Sequence, residues 1–444
     1  MASRQRQLFQ IKDRNSMSLS YIWIFVLLLT AGTPVVFALL VGPGVSLMID
    51  GNEVYFSALL NRLFSGMNSF PLMAVPFFIL AGELMNQGGI TQSIVRFCKT
   101  LIGHYRGGLA QVNILSSVLF AGLSGSAVAD TSALGKMLIP AMEQNGYSRR
   151  FAAAVTAASS VIGPIIPPSG IMILYAFIMN VSVAGMFLAG ILPGLLICAG
   201  LMIVTNRIAK KRNYPIANQK ATWGERGSAF KVSFLPLLTP VILLGGILAG
   251  VFTPTEAAAV AVGYAFIVTL FITNTLKLNQ LPLILVNAAV QSGTILLLVG
   301  SAVTFAWIIT VSGLADSLAT NIMQITSNVL LLLLIINLFL FAIGMFLDAG
   351  PAILILGPVL APIFIALGID PLHFAVIMCV NLTVGLATPP MGLVLFVAAS
   401  VSGEKTENIA LEMLPFLAVQ ALVIFMITYF PAITMTLPRL FGFA

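Results

Sequence analysis

The sequence predicts an all-α polytopic membrane protein built from two inverted repeats, each holding a re-entrant helical hairpin and a broken helix. Three observations predict it. The first is composition: 59% of the 444 residues are hydrophobic and only 8% are charged, with a mean hydropathy of +1.06. A soluble domain carries about 25% charged residues. The second is a pair of interruptions. Gly163-Pro164-Ile165-Ile166-Pro167-Pro168-Ser169-Gly170 and Gly385-Leu386-Ala387-Thr388-Pro389-Pro390-Met391-Gly392 break two apolar runs and align at a constant offset of 222. Proline removes a backbone donor and clashes with the preceding turn, and glycine loosens what remains. The third is an unequal distribution of basic residues between the halves. Long apolar runs, rather than short alternating segments, exclude a β-barrel.

In chain order, residues 1–20 form a polar tail with Arg4, Arg6, Lys12 and Arg14. No small-residue cleavage site follows a short apolar core, so the run from Tyr21 to Ile49 reads as an uncleaved first span with its basic flank in the cytoplasm. The first repeat half covers 21–206. It continues with runs at about 54–64 and 69–88, the latter interrupted by Glu83. Residues 111–141 read as a re-entrant hairpin around Gly122-Leu123-Ser124-Gly125-Ser126-Ala127-Val128-Ala129-Asp130-Thr131-Ser132. Each limb counts about a dozen residues, short of the roughly 30 Å of hydrocarbon to be crossed. The first broken helix follows at 147–178, then a span at 183–206.

Residues 207–232 are the most polar internal stretch, with Arg207, Lys210, Lys211, Arg212, Lys220, Arg226 and Lys231. They read as a cytoplasmic linker. The second half, 233–444, repeats the plan. Spans near 234–252, 255–275 and 283–312 lead to a hairpin at 329–366 centred on Gly344-Met345-Phe346-Leu347-Asp348-Ala349-Gly350-Pro351. A broken helix at 372–400 and a last span at 411–437 close the chain.

Charge orients the halves. Residues 89–206 contain Arg96, Lys99, Arg106, Lys136, Arg149 and Arg150, whereas the matching 313–424 contain only Lys405. Equivalent loops that differ this way are expected on opposite sides of the membrane. Broken segments at corresponding positions of two halves are the best sequence pointer to a transporter's binding site.

The candidate chemistry lies at the tips and breaks. Ser124 and Ser126 offer hydroxyls and free carbonyls suited to sodium, while the opposing helix N-terminus suits a carboxylate. Small residues there also permit close helix packing. Asp130 and Asp348 lie beside the two tips, where capping and ion binding both fit. Asn381, Thr383 and Thr388 are polar at midplane depth. Thr388, next to the break, suits ion or substrate contact, and Asn381 also suits a bond to a neighbouring helix. Glu83 and Glu256 read as structural acids near span ends. Cys98, Cys198 and Cys379 lack metal-ligand spacing and read as buried packing. His104 and His373 read as isolated in sequence, with structural roles or places at loop ends. The net charge of +7 is explained by loop orientation, with membrane lipid rather than nucleic acid as the surrounding partner. Gly135-Lys136 lacks the glycine and hydroxyl of a phosphate loop, so ATP hydrolysis by this chain is excluded.

The pattern resembles the large membrane subunit of the tripartite ATP-independent periplasmic (TRAP) transporters, from about residue 20 to the end. The residues that carry it are Gly122 to Thr131, Pro164 to Gly170, Leu347 to Pro351 and Asn381 to Gly392. The resemblance implies an elevator-type carrier in a bacterial inner membrane that imports carboxylates such as C4-dicarboxylates or sialic acids with sodium. It implies two partners, a small four-helix membrane subunit and a periplasmic substrate-binding protein. The short polar start suggests that the small subunit is a separate protein. One implied sodium site joins Ser124 and Ser126 to Gly163 and Pro167. The other joins Gly344 and Ala349 to Gly385 and Thr388. Ser169, Asp130, Asp348 and Asn381 are candidates for the substrate, and no cofactor beyond Na+ is expected. Two competing readings are a stand-alone sodium-coupled carboxylate carrier and an intramembrane aspartyl protease using Asp130 and Asp348. The protease needs two carboxylates sharing a proton, and Val128-Ala129-Asp130 departs from the Gly-x-Gly-Asp context of such enzymes.

Overall fold

The computed structural model describes residues 20–51, 55–216, 220–314, 317 and 328–443; the side chains of Leu123 and Ser124 lie outside that description. Among the described residues the chain forms nineteen α-helices and no strand. This follows from the solvent: in hydrocarbon each backbone polar group must be satisfied within its own segment.

An outer group precedes the first hairpin: α1 (Ser20–Thr30), α2 (Val35–Ile49), α3 (Phe56–Met67), α4 (Ala74–Gln87) and α5 (Ile90–Ile102). α5 is amphipathic. Ile90, Ile94, Val95 and Cys98 are buried on one face, and Arg96 and Lys99 leave it, as expected of a helix lying between core and polar surroundings. The first hairpin is α6 (Gly108–Ser124) and α7 (Ala127–Gln144); the first broken helix is α8 (Arg149–Ser160) and α9 (Gly170–Met179). Three long helices follow: α10 (Val183–Lys211), α11 (Trp223–Leu248) and α12 (Pro254–Ile267). Thr222 and Thr253 open the last two with capping boxes closed by Glu225 and Glu256, the reciprocal pairing that satisfies two orphan N–H groups. Glu256 is therefore structural, as its sequence position suggested.

The second half continues with α13 (Leu281–Val311), then hairpin α14 (Val329–Gly344) and α15 (Ala349–Ala366). The broken helix α16 (Pro371–Gly385) and α17 (Leu393–Ser402) follows, with α18 (Thr406–Tyr429) and α19 (Ala432–Leu440) last. Seven helical stretches among the described residues are long and apolar enough to cross a membrane. The polar stretch 207–232 is mostly helix ends, since α10 continues to Lys211 and α11 begins at Trp223.

The limbs of the first hairpin are longer than the dozen residues expected of each. α6 and α7 have 17 and 18 residues, and α14 and α15 have 16 and 18. At 1.5 Å per residue these approach 24–27 Å. The dozen-residue expectation for 111–141 fell short because α6 begins earlier, at Gly108, and runs to Ser124, while α7 runs on to Gln144; the polar Gln111, Asn113, Ser116 and Ser117 within α6 are buried.

The broken helices form the centre. Every residue from Phe151 to Ser160 in α8 and from Leu372 to Gly385 in α16 is buried. Around them the halves interlock. α7 packs on α17, the post-break helix of the second half, and α15 packs on α9, the post-break helix of the first. Farther out, α12 packs on α4, and α13 on α2, α3 and α4.

Candidate transport site

Each hairpin tip meets the break of its own half. At the first tip, Gly125 adopts φ +59°, and a side chain there would stand 3.1 Å from the Pro168 carbonyl and 3.4 Å from the Gly170 nitrogen. Glycine is required both for the left-handed turn and for that approach. A side chain at Gly122 would stand 3.6 Å from the Pro167 carbonyl. Ser126 caps α7, accepting from the Ala129 N–H at 3.4 Å. Asp130, fully buried in the first turn of α7, lies against Gly163 so closely that any side chain at 163 would strike its carboxylate. The structure therefore sets Asp130 against Gly163, and the tip glycines Gly122 and Gly125 against Pro167 and Pro168. The side chain of Ser124 lies outside the described residues.

At the second break the contact is backbone on backbone. A Cβ on Gly385 would stand 2.5 Å from Gly344 Cα, and one on Gly344 would stand 2.7 Å from the Leu382 carbonyl. Thr388 is buried, its hydroxyl donating to the Val384 carbonyl at 3.0 Å, which leaves oxygen lone pairs available. Ala349 is buried at the start of α15, and its N–H donates to Asp348 Oδ1 at 2.8 Å. Gly344, Ala349, Gly385 and Thr388 thus border the second tip and break. Asp348 is an exposed cap, so the two aspartates occupy different environments. Both breaks carry a cis peptide bond, Pro167-Pro168 and Pro389-Pro390.

Two other candidates are held within the fold. Ser169 is fully buried; it donates to the Pro164 carbonyl at 2.5 Å and caps α9 through the Met172 N–H at 3.4 Å. It staples the break closed. Asn381 donates to Asn337 Oδ1 at 2.7 Å and to the Ile377 carbonyl at 2.8 Å. Asn337 reaches Thr428 at 3.1 Å, and His373 meets Thr434 at 2.7 Å and the Thr428 carbonyl at 3.3 Å. His373, isolated in sequence, is therefore a structural member of a buried polar network. The three cysteines are free and buried.

The first half has its own buried polar seam: Asn113 to Thr156 at 2.6 Å, Ser117 to Ser159 at 2.8 Å and Thr131 to Ser160 at 2.5 Å. Apart from Thr131, which lies in the hairpin motif, sequence reading missed these residues. A signal was present, because Ser159 and Asn381 are separated by the same 222 residues as the breaks. Both bond to the first limb of their hairpin. Across the halves, Gln420 on α18 donates to the Ala158 carbonyl at 2.8 Å.

Buried helices broken near their middles, each faced by a hairpin tip, are the architecture of a secondary membrane transporter. At the first break the irregular backbone is almost wholly enclosed by protein, as hydrocarbon demands, whereas at the second Pro390 and Met391 are exposed. The chain belongs to the family described as the tripartite ATP-independent periplasmic transporter, DctM component, which it matches over residues 22–433. It is 41% identical over 415 residues to the sialic acid TRAP transporter large permease protein SiaM of Vibrio cholerae, covering 93% of this chain and 96% of that one. It is 34% identical over 395 residues to the C4-dicarboxylate TRAP transporter large permease protein DctM of Rhodobacter capsulatus, covering 86% and 90%. In fold it resembles the YdaH transporter of Alcanivorax borkumensis, with a TM-score of 0.62 at 17% identity, covering 86% of this chain and 89% of that one. The protein is thus an integral inner-membrane permease subunit and not an enzyme.

Proposed function

We propose that this chain imports a carboxylate solute, such as a sialic acid or C4-dicarboxylate, with sodium. It would act as the transport subunit of a three-part system with a small four-helix membrane subunit and a periplasmic substrate-binding protein. The observation that carries the reading is the matched apposition of tip and break, Gly125 on Pro168 and Gly344 on Gly385. Each apposition brings helix-end carbonyls and hydroxyls together, oxygen ligands that suit a hard monovalent cation. Ser124, Ser126, Gly163 and Pro167 would hold one sodium, and Gly344, Ala349, Gly385 and Thr388 the other. The N-termini of α9 and α17 would offer N–H groups to the carboxylate. The relatives named for sialic acid and C4-dicarboxylate support the solute class. An elevator movement of the hairpins and broken helices against the outer helices completes the cycle.

The test is reconstitution. In vesicles with an inward sodium gradient, the purified chain alone should not accumulate labelled sialic acid or succinate, and adding both partners should start uptake. Robust uptake by this chain alone would favour the stand-alone carrier. Uptake undiminished when potassium replaces sodium would end the coupling hypothesis.

A further inference from the structure

Away from the tips and breaks, a cavity of about 470 Å³ opens where the N-terminal end of α6 meets the C-terminal end of α10. Arg106 and Lys210 both line it, and no acidic residue does. Among the described residues neither cation is in an ion pair. Two hydrogen bonds tie its walls together. Gln111 Nε2 donates to the Met202 carbonyl at 2.9 Å, tying α6 to α10. The Gly107 N–H donates to the Pro215 carbonyl at 3.4 Å, holding the loop that presents Arg106. Gly107 has φ +71°, which turns the chain directly into the first N–H groups of α6. Arg106 precedes the N-terminus of α6 and Lys210 lies in the last turn of α10, and two unpaired cations lining one cavity favour an anion.

The rest of the lining says which kind of anion. Ile203 and Tyr105, also at the cavity, are 54% and 58% exposed. Such apolar surface beside basic side chains matches an amphiphile with a charged head and an apolar tail. We propose that this cavity binds the headgroup of an anionic glycerophospholipid. The phosphodiester would sit between Arg106 and Lys210, with an acyl chain over Ile203 and Tyr105. A free phosphate presents the same oxygens but leaves the apolar lining unused. In the orientation read from charge, the site opens to the inner leaflet; binding itself can be measured without reference to sidedness.

Native mass spectrometry of the purified full chain in detergent tests this, with phosphatidylglycerol, phosphatidylcholine and inorganic phosphate as probes. Phosphatidylglycerol should be retained preferentially over phosphatidylcholine and resist millimolar phosphate. The double variant Arg106→Gln/Lys210→Gln should bind it at least tenfold more weakly, at roughly fivefold per cation. Arg207→Gln and Lys211→Gln, neighbouring cations outside the cavity lining, should bind it as the parent does. If the double variant does not fold, Lys210→Gln alone, at an exposed position, should show the roughly fivefold loss. Equal retention by parent and variant, or equal binding of phosphatidylcholine, would overturn the site. Displacement of the lipid by inorganic phosphate would replace it with a free-phosphate site.

Discussion

Glu412 and Arg212 meet at 2.8 Å, and the other oxygen of the same carboxylate meets Arg150 at 3.2 Å. One acid on α18 thus joins the start of α8 to the residue following α10, tying the second half to the first. Arg212 also lies over the Phe151 ring at 5.5 Å, and Tyr214 packs on Tyr147 and Phe151. Glu412 is 9% exposed while Arg212 and Arg150 are 39% and 56% exposed, so solvent screens the pair from one side. Glu412→Ala should destabilise by about 1–3 kcal/mol, less than a fully buried pair would lose. Arg149→Ala, which removes an exposed pair with Glu143 at 3.5 Å, should cost under about 0.5 kcal/mol. Denaturant unfolding of both variants in detergent checks this, and equal shifts would refute the clasp.

Gly385→Ala should impair folding and transport together. Its Cβ would meet Gly344 backbone, which no rotamer change relieves, and such overpacking typically costs about 1–3 kcal/mol. Gly263→Ala in α12 adds a methyl where nothing lies within 4 Å, so it should be neutral or slightly stabilising. Melting temperatures of the two variants provide the comparison.

Ser126→Ala and Thr388→Ala should raise the sodium concentration giving half-maximal uptake. Loss of one ligand oxygen costs about 1–3 kcal/mol, roughly 5- to 150-fold. Thr388→Ser should restore the parent value. Ser126 also caps α7, so a lowered melting temperature with unchanged sodium dependence would assign it to structure alone.

Ser148 and Asp370 are the N-caps of α8 and α16, separated by the same 222 residues as the breaks. Single cysteines at these positions, in a background lacking Cys98, Cys198 and Cys379, should react from opposite sides of sealed vesicles. Labelling from one side would eliminate the inverted arrangement.

The breaks were legible because proline and glycine act locally, and their effect needs no knowledge of neighbours. Thr388 was legible for the same reason, being placed by an adjoining Pro pair. The pairings of Asn113 with Thr156 and of Gln420 with Ala158 were not legible. Helices apolar on every side carry no period that names a partner, so contacts across 43 or 262 residues leave no local trace. Glu412 escaped attention because its value depends on two arginines 262 and 200 residues away. His373 looked isolated since both its partners lie on or beyond α18.

The crossed packing of α7 on α17 and α15 on α9 means that neither half is a finished object. A chain ending before α11 would leave α7 and α9 with the bare flanks that α17 and α15 cover here. The fused halves behave as an internal dimer that has lost the freedom to part. They have also lost the freedom to vary separately: a bulkier residue on α9 is admitted or refused by α15, half a sequence away. Two fragments divided between α10 and α11 and made in one cell should find each other, because each holds the mould for the other.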